Sequence, residues 1–589
     1  MHRGPAALMV MTLAVVTCGI LPVSASTSLV TLDESTLSYG KAETIRLGGE
    51  EPAPKATPQI KLLESSEDRV ALEFDLPALE SQSIEIEGVT YHALEVEGGG
   101  FIGKEGEPML PSFTRLIQVP DNASVTVRYK TFETMSMAQY RPMPVQADGG
   151  TTFVIDPEAY NAAGSTPEPV IVGEPAVARD LRVVPITFHP VTYDAHTGGI
   201  NVIRRMQVDI SFEGTDTRNN PTRTRRVIPE SFDKLYRGMV PNYTGPRDGQ
   251  VINKGAYVII CPNNSTVVNY LQPLVEWHTR RGYDVTLATT SETGTSTSSI
   301  KNWIQNAYDN WENPPAFVCL VGDHDGSITI PTWFENYSYY GGEGDQPYTE
   351  LEGNDPLCDV HLGRISVGST TEVARYVDKV LGYEATPYMG STDWYARGSV
   401  LGDPSVSGWT CVQIGQWLKE RMLAHGYAEV DTIFTSPFST LFRNSLNNGA
   451  TAFSYRGYYG MSGIDEGDIY SLTNGRKLCY ATISTCGTGS FSSGTGAACR
   501  SEAFIRAGSG TNDPDGGIGA VGTATTGTNT RYNNCLTYGL WRPIVMDDNF
   551  TLGASITSGK YEMYLNYFNW DTNRCRYFIH WNSLMGDPG

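Results

Sequence analysis

The run Leu478-Cys-Tyr-Ala-Thr-Ile-Ser-Thr-Cys486-Gly-Thr-Gly ends an apolar, β-branched stretch in a cysteine followed by small residues. That texture predicts a buried strand delivering a thiol to the carboxyl edge of a sheet, where open α/β folds bind their ligands. A thiol in such a place is a candidate nucleophile if a base or a positive group raises its thiolate fraction. Two other apolar runs end in the same manner. One is Ala316-Phe-Val-Cys-Leu-Val-Gly-Asp323-His324-Asp325, the other Thr451-Ala-Phe-Ser-Tyr455-Arg456-Gly457-Tyr458-Tyr459-Gly460. If the three ends share one crevice, the amides of Gly457 and Gly487 are candidates for an oxyanion hole, and His324 is a histidine at a strand end. Other chemistries lack their motifs. No G-x-S-x-G elbow, H-E-x-x-H helix or G-x-x-x-x-G-K-[ST] loop occurs, and Cys486 belongs to no C-x-x-C pair.

The elements that must position these residues fall into two textures. Residues 59–214 read as all-β. Runs such as Val70-Ala-Leu-Glu-Phe, Ser124-Val-Thr-Val-Arg-Tyr and Gln207-Val-Asp-Ile-Ser-Phe alternate between Gly, Pro and Asp turns, which predicts a sandwich or barrel. Residues 255–589 read as repeated βα units, which predict a mostly parallel sheet with helices on both faces. Residues 26–58 and 215–254 read as linkers. The second contains the basic stretch Thr222-Arg-Thr-Arg225-Arg226, a candidate processing site because exposed linkers are where proteolytic nicks concentrate.

Composition narrows the partners. The chain has 589 residues and a formal charge of −22, which argues against nucleic acid because phosphate binding needs a basic footprint. Residues 1–25 have the form of a secretory signal peptide, with Arg3, an apolar core from Ala6 to Ile20 and Val23-Ser24-Ala25 at the cut. A secreted or cell-surface protein without a transmembrane segment is expected. Nine cysteines follow Cys18, and an odd number in an oxidising compartment leaves a thiol unpaired, with Cys486 the expected one. No cofactor is required. Asp465, Glu466, Asp468, Asp513 and Asp515 lie in Gly-rich loops suited to oxygen ligation of calcium.

The α/β half resembles the catalytic domain of the gingipain family of secreted cysteine peptidases. The resemblance rests on Leu320-Val-Gly-Asp-His324, Gly353-Asn-Asp355 with Val360-His-Leu-Gly-Arg364, the Tyr455 loop with Leu472-Thr-Asn-Gly, Thr485-Cys486 with Gly489-x-Phe491, and the closing Met585-Gly-Asp-Pro588. Gly106-Glu-Pro-Met-Leu-Pro111 in the β-rich half resembles the gingipain-type propeptide. The resemblance implies a caspase-like fold, peptide or protein substrates and Cys486 as nucleophile. It also implies a histidine in a Tyr-x-Gly-His-Gly pattern, and here that position holds Tyr458. A phenol is a poor base at neutral pH, so either Tyr458 or a relocated His324 must serve. The alternatives are a catalytically inactive module that binds a protein partner or sits at the cell surface, and a different thiol chemistry. Asp345 and Asp355 are the candidate receivers of a basic substrate side chain, the role an acidic pocket residue has in arginine-specific relatives.

Overall fold

The computed structural model describes residues 30–31, 38–47, 57–146, 152–161, 167–221, 223, 226–492 and 497–589. The expected signal peptide and Arg225 lie outside them. Two five-stranded antiparallel sheets dominate the first half, beside a three-stranded one of Ser38–Arg46, Ala78–Ile86 and Val89–Glu95. One five-stranded sheet contains Leu110–Gln118 and Leu181–Phe188, the other Arg69–Asp75 and the long Gly199–Glu213. Their inward residues, among them Leu72, Phe74, Ile117, Val184, Phe188, Val208 and Ile210, form one core, the alternation read from the sequence.

Ten strands form the sheet of the second half. They are β1 (Ala256–Cys261), β2 (Asp284–Thr289), β3 (Pro315–Val321), β4 (His361–Ile365), β5 (Arg397–Gly402), β6 (Glu429–Ile433), β7 (Ala452–Arg456), β8 (Cys479–Ile483), β9 (Gly517–Thr523) and β10 (Asn582–Gly586). Their order is β2-β1-β3-β4-β10-β9-β8-β7-β5-β6. Pairing is parallel within β2-β1-β3-β4 and from β9 to β6, while β10 runs antiparallel to β9. The period-2 geometry puts helices on both faces. Ile259 and Cys261 pack toward the helix Ser265–Arg280, and Val258 and Ile260 toward the helix Thr297–Asn310.

Five helices matter below: α1 (Glu230–Met239), α2 (Thr410–His425), α3 (Arg500–Arg506), α4 (Thr530–Val545) and α5 (Leu552–Tyr567). From Gly553 to Tyr567, α5 is buried all round. The sheet covers one side, and Leu116, Ala176, Ala178, Leu181 and Val183 of the β-rich half share a core with α1, α4 and α5.

Two linker expectations are corrected. Ser38–Arg46, within 26–58, is a strand paired with Ala78–Ile86. Its residues carry no apolar alternation; besides the backbone pairing, Thr44 donates to Glu80 at 2.9 Å and Ile45 packs against the core. Residues 215–254 contain α1, whose Phe232, Leu235, Tyr236 and Met239 are buried at helical spacing. Among the described residues no helix is long and apolar enough to cross a membrane.

Candidate active site

Cys486 lies just past β8, and Tyr458 lies just past its neighbour β7, where Tyr455 is in register with Ile483. The loops at these two strand ends are tied to each other. The Thr485 hydroxyl donates to the Gly457 carbonyl at 2.9 Å. Thr488 donates to the carbonyls of Ile483 and Thr485 at 2.7 and 2.9 Å. Gly487 sits at φ 67°, in the left-handed region that glycine adopts without strain. On the other loop, the Tyr455 hydroxyl donates to the Tyr458 carbonyl at 3.1 Å and meets the Ser462 hydroxyl at 2.8 Å. Gly457 is required there, since a β-carbon would sit 2.4 Å from that hydroxyl oxygen.

The Cys486 thiol is buried, and its Sγ lies 2.8 Å from the Thr528 hydroxyl. Thr528 belongs to the turn between β9 and α4. The Tyr340 ring rests on Gly527 in the same turn, because a β-carbon at Gly527 would sit 2.1 Å from a ring atom. The Tyr459 ring likewise approaches Gly487, and Tyr458 is half-exposed. Thus the Tyr340 and Tyr459 rings pack on the two turns that carry Thr528 and Cys486. The sequence reading missed Thr528. Its one signal is Thr526-Gly-Thr528-Asn529, a fourth polar strand end, where Asn529 caps α4 by accepting from the Arg531 amide at 2.9 Å.

Several expected residues stand elsewhere. The Gly487 amide donates to the Thr525 carbonyl at 2.8 Å, so it holds the turn rather than facing an oxyanion. His324 follows β3, four strand positions from β8, which is about 19 Å by strand spacing alone. Its ring stands edge-on to Phe334. That β4, β10 and β9 intervene is set by strand order, which no local pattern encodes. Among the described residues no imidazole is hydrogen-bonded to Cys486. His361 is buried at the start of β4 between Thr557 and Ser231, and burial drives it down to about 3.

The two acidic candidates are also corrected. Asp345 makes a buried two-pronged pair with Arg364, both contacts at 2.7 Å, and accepts from Thr332 at 2.8 Å. Asp355 precedes β4, at the amino edge of the sheet, opposite Cys486. It accepts from the amides of Val177 and Leu357 at 2.8 and 3.1 Å, and burial pushes it up to about 7. Neither carboxylate lines the Cys486 cleft. A concavity of about 450 Å³ lined by Trp277, Arg281, Glu384 and Gly589 also lies at the amino edge, and its charges are paired, as Arg281 is with Glu384 at 2.9 Å.

The calcium candidates are engaged with protein groups. Asp465 accepts from the Asp468 amide at 2.9 Å, Glu466 pairs with Arg500 at 3.3 Å, and Asp515 accepts from the Gly475 amide at 2.8 Å. Among the described residues no three His, Cys, Asp or Glu side chains gather as metal ligands. All nine cysteines of the described residues are unpaired and buried, so being free does not single out Cys486, and Cys261 too stands at a strand's carboxyl end, closing β1. Arg226 is exposed.

Comparison with known proteins follows the same division of the chain. The family described as Peptidase family C25 matches residues 252–589, and Propeptide_C25 matches 52–244. Lys-gingipain HG66 of Porphyromonas gingivalis is 25% identical over 452 residues, covering 71% of this chain and 25% of that protein. Gingipain R2 of Porphyromonas gingivalis (strain ATCC BAA-308 / W83) is 23% identical over 485 residues, covering 78% of this chain and 64% of that protein. The chain therefore spans a quarter to under two thirds of the length of these relatives. The crystal structure of the Arg-specific cysteine proteinase gingipain R superposes with a TM-score of 0.50 at 19% identity, covering 59% of this chain and 79% of that one, which shows a shared fold. A β-rich half over the propeptide match, and a large sheet bringing Cys486 to its carboxyl edge over the peptidase match, agree with these findings: the chain belongs to peptidase family C25, the gingipain-like cysteine peptidases, and carries the family's propeptide.

Proposed function

We propose that this chain is the proform of a secreted gingipain-like cysteine endopeptidase that acts on peptides and proteins through Cys486. The observation that carries the reading is the thiol at the carboxyl edge, on a tightly cross-linked loop beside the β7 loop that bears Tyr458. The Cys486 thiolate attacks the scissile carbonyl carbon, and the resulting oxyanion is met by backbone amides, with Gly457 the candidate donor. The C–N bond then breaks, the amine leaves with a proton, and water hydrolyses the thioester. Tyr458, at the position the gingipain pattern gives to histidine, is the candidate proton acceptor. A phenol there gives slow turnover at neutral pH compared with an imidazole. Processing after Arg225 or Arg226 separates the two halves, and the reaction needs no cofactor.

A second reading has one observation in its favour. The partner of the Cys486 thiol is a threonine hydroxyl, which is not a base, so the fold serves equally well as an inactive module that binds a protein in the same cleft. The test is alkylation of the folded chain with iodoacetamide, read at Cys486 by mass spectrometry, followed by hydrolysis of quenched peptides. Selective labelling with turnover lost in Cys486→Ala supports the peptidase. Turnover unchanged in Cys486→Ala, or none from a chain whose Cys486 alkylates, removes it in favour of the binding module.

A further inference from the structure

Arg456 ends β7 and its side chain is buried, with 2% of the residue exposed. Nη1 donates to the Ser484 carbonyl at 2.7 Å and the Gly457 carbonyl at 3.3 Å, and Nε donates to Asn534 Oδ1 at 2.7 Å. Its partners are therefore the roots of the two loops that carry Cys486 and Tyr458, together with α4. All three acceptors are neutral, and Nη2 has no partner among the described residues. Among the described residues, three other arginines buried to this degree each have an acidic neighbour: Arg364 has Asp345, Arg182 has Asp216 and Arg179 has Asp180. A buried guanidinium is always charged, and leaving it without an anion costs several kcal/mol. Asp403, at the end of the adjacent β5, forms no ion pair with it and accepts from Ser405 and Ser462.

Other donors gather at the same place. Asn529 is 2% exposed, adjoins Thr528, and its Nδ2 has no partner. The indole nitrogen of Trp409 is also unpartnered. Trp409 precedes Thr410, whose carbonyl accepts from Asn534 Nδ2 at 3.4 Å. The 16-residue helices α2 and α4 start here, so two helix N-termini add positive potential. Unsatisfied donors on buried side chains are uncommon in native proteins, and Asn534 ties together two of the segments that carry them, bonding Arg456 and the Thr410 carbonyl.

We propose that Arg456, with Asn529 and Trp409, forms an anion subsite of the Cys486 cleft that takes a carboxylate of the bound peptide, so that the cleft selects acidic side chains. This rests on the reading that a peptide enters the cleft. It replaces Asp345 and Asp355, which are buried in other bonds, as the origin of side-chain selection and reverses the sign of the preferred charge.

Two measurements on the full chain test it. In the first, Cys486 is alkylated with iodoacetate and with iodoacetamide, and the ratio of rates is compared with that for glutathione. In the second, fluorescent hexapeptides that differ only in Asp, Asn or Arg at one position are titrated onto Cys486→Ala. The subsite predicts a rate ratio raised about tenfold and Asp peptides bound about tenfold tighter than Asn peptides, the scale of one charge-assisted contact. Both preferences should vanish in Arg456→Gln, survive in part in Arg456→Lys and weaken in Asn529→Ala. Equal treatment of Asp and Asn with a glutathione-like ratio overturns the subsite in the unmutated chain, so a poorly folded variant cannot protect it. An acidic preference that Arg456→Gln leaves intact also overturns it. Acidic preference without hydrolysis removes the peptidase reading and keeps the subsite, while hydrolysis without acidic preference does the reverse.

Discussion

Tyr458 sits half-exposed past β7, one strand from Cys486, and on the proposed peptidase reading this position sets the rate. A positioned general base contributes about 10²–10⁴-fold to rate. Restoring an imidazole with Tyr458→His is therefore expected to raise peptide hydrolysis by about 10²-fold or more, measured as kcat/KM on a quenched peptide. An unchanged rate would mean that the Tyr458 side chain does not reach the thiol or its substrate. That both residues follow strand ends was legible in the sequence. Thr528 was not, because its contact depends on how the turn after β9 folds over β8, and no spacing in the chain encodes that. The same holds for Arg456, since a lone arginine at a strand end reads as exposed until packing shows it buried between neutral carbonyls.

At the scale of elements, the loops that hold the site depend on glycines in tight places. Gly487 combines a positive φ with a neighbouring aromatic ring. Gly487→Ala is predicted to lower stability by about 1–2 kcal/mol, seen as a lower Tm and as slower alkylation of Cys486. An unchanged Tm would show that the turn relaxes freely. The hairpin Ala176–Ala178 to Leu181–Phe188 is the counterpart at the opposite edge. Its Val177 amide donates to Asp355 and its Arg179 amide to Asp359. Burial raises the Asp355 carboxyl to about 7, against about 3.9 in an unfolded chain. The folded state favours the protonated form. Its contribution is therefore fully present below pH 4 and is lost as pH rises to about 7, at most on the order of 4 kcal/mol. Asp355→Asn should flatten the fall in Tm between pH 4 and 7, and an unaltered slope would assign the pH dependence to other groups.

For the whole molecule, the two halves are joined by more than a linker. Glu97 of the β-rich half accepts from Trp417 Nε1 at 2.6 Å and from Arg421 Nε at 2.9 Å. Asn242 exchanges two bonds with Gln118, both at 2.8 Å, and the core between the halves is continuous. A nick after Arg226 should therefore leave the fragments associated, co-eluting on gel filtration in high salt. Glu97→Ala removes the acceptor shared by Trp417 and Arg421, with about 1–3 kcal/mol expected as the loss, so its nicked fragments should separate at concentrations where the unmutated ones do not. Immediate separation of the unmutated fragments would refute the prediction.

The sequence by itself determined a β-rich first half, a mostly parallel α/β second half and the strand-end thiol, because alternation, βα periodicity and turn residues are local and repeat along the chain. It also carried the family through motifs that hold their order. The tertiary structure alone decided that β4, β10 and β9 separate His324 from Cys486, that Asp355 lies at the opposite edge beneath the β-rich half, and that Arg456 is buried without a counter-ion. Strand order and burial are set by long-range packing, which brings together residues whose separation along the chain carries no trace of their meeting.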